Sequence, residues 1–331
     1  MAVLQEQPPH GFGPRSNLLT LGAIGAYLLY ALGVQGMQGA SRGIEVFHLA
    51  AAGTVLAVRF QLVALLAGLA GLRVARRDRS WEVFKPGNVK LRLAQGAAQA
   101  LQTVFIVLAA AELAGKFQAA VSLALVGLWT NAIGTALHRR DKHAAVSGRA
   151  WVYPVMYVAV AVFIATQSGA SQGNLWLGLA FMAASGLCTS AMHSFTEEAA
   201  DESKITSTLW QNGPAAVLSI ALWFLPAPMI GQASLPSEHL VLTVVLLLTV
   251  ALCSMGQQLA LQLAAWLGKQ VGMGTNRLVP LRGAQVYFGA LIDWLAFSNP
   301  PHGAAQWAAM AMVLLPMALG WIWTRPKPQQ G

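Results

Sequence analysis

The stretch HLAAAGTVLAVRFQLVALLAGLAGLRVARRDR, residues 48–79, decides the class of fold. From 48 to 71 it is almost wholly apolar, with a single formal charge at Arg59; then Arg73, Arg76, Arg77 and Arg79 follow in quick succession. A helix that crosses a bilayer needs roughly 20 apolar residues. A basic cluster just beyond such a run marks its cytoplasmic end. The pattern repeats along the chain. The 331 residues are 56% hydrophobic and only 10% charged, where soluble domains carry about 25% charge. The mean hydropathy of +0.55 fits a polytopic membrane protein, and no polar stretch is long enough to hold a large soluble domain.

Ten apolar segments are expected to cross, at about 18–38, 48–71, 92–111, 117–137, 150–168, 174–195, 206–229, 238–263, 276–298 and 304–323. Residues 1–17 read as a cytoplasmic N-terminal tail and 324–331 as a cytoplasmic C-terminal tail. The 21 Lys and Arg residues test this topology. With both termini inside, 17 fall in cytoplasmic segments and two, Arg42 and Lys116, in outer loops; Arg59 and Arg282 lie within spans. That split obeys the positive-inside rule. It places the chain in a cell inner membrane and explains the net charge of +9 by topology and anionic lipid, with no nucleic acid as partner. Most tryptophans, Trp151, Trp176 and Trp294 among them, sit near span ends as an interfacial belt.

The charges also divide the chain. The loop after span two, with its edges, holds seven basic residues and the loop after span four holds four; the loops after spans seven and nine hold none. Residues 18–168 and 174–323 therefore read as two five-helix repeats of opposite orientation, an architecture that lets a transporter exchange outward-open and inward-open states. Gly115-Lys116 and Gly268-Lys269 echo each other at the same place in the two halves. Aligning them sets Gly127 opposite Pro280 and Arg140 opposite Asp293.

On these features the chain resembles an EamA-type member of the drug/metabolite transporter superfamily. The resemblance covers about residues 18–323 and rests on ten short spans in two halves, the arginine in Leu56-Ala57-Val58-Arg59-Phe60, and Pro280 followed by Asp293 in span nine. Asp293 stands where the family has Glu, and the first half lacks both the Pro and the Glu. The resemblance implies a secondary transporter of small organic solutes, an amino acid or related metabolite, most simply an exporter, with no cofactor and with a homodimer allowed.

Several residues could carry function. Arg59 is the twelfth residue of its span, and a central Arg costs about 2.5–3.5 kcal/mol on insertion scales; a partner, water or an anionic solute group must offset that. Gln95, Gln99 and Gln102 share one face of span three, and Ser254, Gln258 and Gln262 one face of span eight. An unsatisfied amide facing lipid costs several kcal/mol. The expectation is a polar cavity between the halves that binds solute through Arg59, Gln99, Gln102, Gln211 and Gln258. Trp129, mid-span, is placed to stack on a solute. His193, near the cytoplasmic end of span six, and Asp293 are the candidates for ion coupling, although solvation explains the first as simply. Arg282 is expected to snorkel to the cytoplasmic face. Gly33, Gly36 and Gly39 suit close helix packing, and Glu197, Glu198, Asp201 and Glu202 a solvated loop. Cys188 and Cys253 match no disulfide or metal spacing. The alternative is a polytopic intramembrane enzyme, such as a lipid-modifying transferase or hydrolase. The sequence has no metalloprotease or serine-hydrolase motif and no nucleotide-binding loop.

Overall fold

The computed structural model describes residues 14–137, 148–224, 239–298 and 303–324. Among these the chain is all helical, with ten α-helices: α1 (Pro14–Val46), α2 (Ala52–Asp78), α3 (Val89–Glu112), α4 (Gly115–Leu137), α5 (Val152–Ser168), α6 (Leu175–Glu198), α7 (Lys204–Ile220), α8 (Leu240–Gln270), α9 (Ala284–Phe297) and α10 (Gly303–Thr324). Eight spans are long and apolar enough to cross a membrane, α5 counted together with the 3-10 turn Gly148–Trp151 before it; α7 and α9 are not among them. Arg139, Arg140, Lys142, Arg325 and Lys327, which contribute to the charge pattern, lie outside the described residues.

The helices end where the sequence tells them to. Asn88 caps α3 by accepting from the Leu91 N–H at 3.1 Å, and Asn174 caps α6 by accepting from Leu177 at 3.1 Å, each satisfying one of the free N–H groups of a first turn. The last turn of α2 carries Arg76 and Arg77, which complement its dipole. α1 runs from Pro14, the first described residue, and so is helical before the apolar segment begins. At 33 residues it is roughly 50 Å long, longer than a hydrocarbon core of about 30 Å.

Span nine departs from the expected single helix. It comprises a 3-10 turn at Thr275–Arg277, another at Val279–Gly283, then α9. Pro280 has no N–H to donate and its ring crowds the preceding turn, which disfavours a regular α-helix there. α7 tolerates Pro214 within the helix and passes into a 3-10 turn at Ala221–Trp223.

Packing pairs helices across the chain. α1 packs on α8, α3 on α6, α2 on α7, α4 on both α5 and α6, α3 on α7, α1 on α9, α2 on α8, and α5 on α10. Close approach depends on glycine: a methyl at Gly33 of α1 would meet Gln257 Cβ at 2.8 Å, and one at Gly96 of α3 would meet Gln211 O at 3.1 Å. The Gly33, Gly36 and Gly39 row thus serves packing, the first two against α8 and the third against Ile292 of α9.

Inside the bundle polar side chains lie among apolar clusters, and the outside is apolar. On α2 alone Arg59 is 4% exposed while Leu65 is 56% exposed. Thr103, Gln99, Gln211, Asn212, Ser254 and Gln258 are all buried, whereas Leu29, Val162, Trp176, Val241 and Leu295 face outward. That inversion of the water-soluble pattern marks a multi-pass membrane protein, with lipid as the solvent of its surface.

Candidate functional site: a polar seam and an aromatic cluster

Where α2, α3, α7 and α8 meet, side chains from both halves of the chain form a hydrogen-bonded seam. Arg59 Nε donates to Ser254 Oγ of α8 at 2.9 Å, and its Nη1 donates to Thr103 Oγ1 of α3 at 3.3 Å. Its guanidinium also lies over the Phe60 ring, 5.0 Å from the centroid. Gln211 of α7 donates to Gln99 of α3 at 2.9 Å. Next to it Asn212 and Gln258 of α8 exchange two amide bonds, at 2.6 and 3.1 Å. Gln262 donates to Thr208 at 3.2 Å. Helical spacing explains the register: Thr208, Gln211 and Asn212 share one face of α7, as Ser254, Gln258 and Gln262 share one of α8.

The seam continues to one end of the bundle through Gln95, which donates to Thr196 at 2.9 Å and accepts from Arg92 at 2.5 Å. Arg92 pairs with Glu202 at 2.6 Å; its side chain is 0% exposed and that of Glu202 21%. The sequence suggests a loop cation and a solvated acidic run for these two, and the structure corrects both. Glu202 comes from the α6–α7 connection, so this end-pair joins the two halves. Elsewhere in the acidic run, Glu197 accepts from the Thr275 N–H at 2.9 Å and the exposed Asp201 pairs with Lys269, while Glu198 is exposed, as the sequence suggests.

A second polar cluster lies between α1, α6 and the broken ninth span. Tyr27 and Tyr30 of α1 stand 5.2 Å apart, ring centre to ring centre, and both meet the His193 ring edge-on, at 6.2 and 5.7 Å. His193 is 1% exposed, so it is enclosed where the sequence suggested a solvated position; its Nε2 lies 3.4 Å from Tyr30 Oη. Arg282, expected to reach the cytoplasmic face, is 5% exposed. The 3-10 turn after Pro280 redirects it inward. Tyr157 of α5 closes the turn by donating to Pro280 O at 3.1 Å. Arg282 Nε donates to Gln285 Oε1 at 3.4 Å. Arg282 Nη1, Gln285 Nε2, Tyr27 Oη and His193 Nδ1 are buried without partners. An unsatisfied buried polar group costs about 1–3 kcal/mol, more when charged.

The remaining candidates are placed as follows. Gln102 is half-buried and sits beside the seam, accepting from Thr103 at 3.3 Å. Trp129 is half-buried at the α4–α6 contact, where a methyl on Gly186 would meet its Cδ1 at 3.2 Å. Its neighbours Thr130 and Asn131 bond Ser190 at 3.0 Å and Ala150 O at 2.8 Å. Asp293 pairs with Arg42 at 2.6 Å at the opposite end of the bundle from Arg92, both partly exposed. The structure therefore joins Arg59, Gln99, Gln211 and Gln258 through one seam, sets Gln102 at its edge, and keeps Trp129 and Asp293 apart from it. Asn212, Arg92, Tyr27, Tyr30 and Arg282 complete the polar interior. The Tyr27-x-x-Tyr30 and Thr208-x-x-Gln211-Asn212 spacings are the signals that point to most of them. Among the described residues no three His, Cys, Asp or Glu side chains gather as a metal site.

No family model and no curated protein matches the chain. A solved structure, described only as a crystal structure of a protein, is similar over 93% of this chain and 96% of its own length, with a TM-score of 0.62 and 16% identity. That likeness shows a shared fold.

Proposed function

We propose that the chain is a secondary transporter that moves small organic solutes across an inner membrane by alternating access, built as ten transmembrane helices in two inverted five-helix halves. The observation that carries the reading is the seam: its bonds link α2 to α8 and α3 to α7, one helix from each half. Between the halves these bonds are mainly short amide, hydroxyl and guanidinium contacts, which water or a polar solute can replace one for one. Such an interface can part along a buried plane without stranding its polar groups.

The helix pairing supports the two-half architecture. Raising each helix number by five, and wrapping past ten, turns α1–α8 into α6–α3, α4–α6 into α9–α1, and α3–α7 into α8–α2, and leaves α2–α7 and α5–α10 unchanged; every one of these pairs packs. The charge bias supports inversion and cytoplasmic termini. The 3-10 turns that extend α7 and precede α9 lengthen both, which supports a count of ten crossings. The EamA-type resemblance points to export of an amino acid or related metabolite.

Solute counterflow in proteoliposomes tests the proposal. Vesicles loaded with a metabolite mixture should accelerate uptake of a labelled member of it, and Arg59→Ala should slow that exchange. Equal, unaccelerated leakage in wild-type, variant and empty vesicles contradicts it.

A further inference from the structure

The seam and the aromatic cluster treat their charges differently, and the cluster has a vacancy in its bonding. Arg282 is buried, and among the described residues no carboxylate pairs with it. Its guanidinium makes one bond, through Nε at 3.4 Å to Gln285. Its Nη1 and the Gln285 Nε2 are both buried donors without an acceptor. Tyr27 Oη and His193 Nδ1 are bare as well; their rings meet edge-on, and α1, which carries Tyr27, packs on the turn that holds Arg282. Donors dominate this set, and a buried cation with spare N–H groups wants an anion that accepts two bonds at once. Two tyrosine rings and the imidazole supply apolar faces beside it.

We infer that Arg282 and Gln285, with Tyr27 and His193, form a binding site for the carboxylate of a small organic anion. This rests on the transporter reading and names the class of its solute: Arg282 Nη1 and Gln285 Nε2 donate to the carboxylate, Tyr27 Oη donates a further bond, and the rings of Tyr27, Tyr30 and His193 cover its organic part. The turn at Val279–Gly283 is what permits this. That turn packs on α1, α4 and α10, and Arg282 is buried there.

The test is thermal unfolding of the purified full-length protein against a panel of aliphatic and aromatic carboxylates, each paired with its own primary amide. At least one carboxylate should raise the midpoint while its amide does not. Arg282→Gln should weaken that carboxylate about tenfold or more, the worth of a charge-assisted bond; Arg282→Lys should retain part of the affinity. Because the charge is unpaired in the empty protein, Arg282→Gln alone should unfold no earlier than wild type. Should Arg282→Gln fail to fold, Gln285→Leu and Arg282→Lys decide: weakened carboxylate binding in both supports the site, and unchanged binding in both overturns it. A panel in which no carboxylate is distinguished from its amide also overturns it. Counterflow separates this site from the transporter reading. Binding of carboxylates without any exchange leaves the site standing and removes transport. Exchange of amides or amines with carboxylates inert does the reverse.

Discussion

Arg59 and Arg282 are both arginines buried in apolar spans, at 4% and 5% exposure, yet their surroundings differ. Arg59 spends its donors on Ser254 and Thr103, from opposite halves, and lies over Phe60. Arg282 has a single bond to a neighbour one turn away. A buried charge needs hydrogen bonds or a counter-charge. Arg59 finds hydroxyls within the protein, so it can hold the halves together while the pathway is closed. Arg282 leaves its need unmet, so its partner is expected to arrive from outside. On the proposed transporter reading, the difference separates a closing element from a binding element.

The largest expected effect lies where an arginine does have a carboxylate. Arg92→Ala breaks the Arg92–Glu202 pair, and losing one partner of a buried ion pair costs about 3–5 kcal/mol. Glu202 is partly exposed, so the loss should fall near the lower end. Unfolding midpoints in detergent measure it, and a neutral result would mean the pair is not a structural tie. Arg59→Ala should come next: exchange should fall about tenfold or more, the scale of charge-assisted bonds, with protein abundance little changed and Arg59→Lys partly active. Equal losses of abundance and exchange would place Arg59 with Arg92 as a structural element.

Smaller still is the Asn212–Gln258 pair. A double-mutant cycle to alanine should give a coupling of about 0.6 kcal/mol, and no more than about 1.7, as interhelical bonds in membranes do. A larger coupling would mark a rigid tie between α7 and α8, both in the second half. The smallest effect should be at Arg42–Asp293, where Asp293→Asn should change stability by about 0–1 kcal/mol, because the pair is exposed to solvent. A strong loss of exchange there, with stability intact, would move ion coupling to Asp293.

Much of this contrast could be read from the sequence on one side only. The depth of Arg59 and the amide faces of spans three and eight follow from helical spacing, which local sequence carries. Where they suggest a polar cavity, the structure has a seam whose amides bond one another. Arg282, His193 and Arg92 were less legible. Each lies near a span end, where a single helix considered alone suggests solvent. Their burial comes from other helices: α1, α4 and α10 pack on the turn that carries Arg282, α1 covers His193, and Glu202 reaches Arg92 from a connection 110 residues away. Pro280 was visible, but its consequence, a turned backbone that points Arg282 inward, depends on Tyr157 of α5 closing the break. Gly127, aligned with Pro280, instead packs against Pro154 of α5, so the two halves solve the same helix contact with glycine and proline on exchanged sides.

The central claim is that the seam opens toward each side of the membrane in turn. Gln99 and Gln258, buried at 1% and 3% in the state described, report on it when replaced by cysteine in a background lacking Cys188 and Cys253. A membrane-impermeant thiol reagent, applied from one face of oriented proteoliposomes and then from the other, measures access. The account predicts labelling of both positions from both faces, slowed by a transported solute, while a cysteine at lipid-facing Leu65 stays poorly labelled. Protection of Gln99→Cys and Gln258→Cys from both faces, in vesicles that still exchange solute, would contradict it.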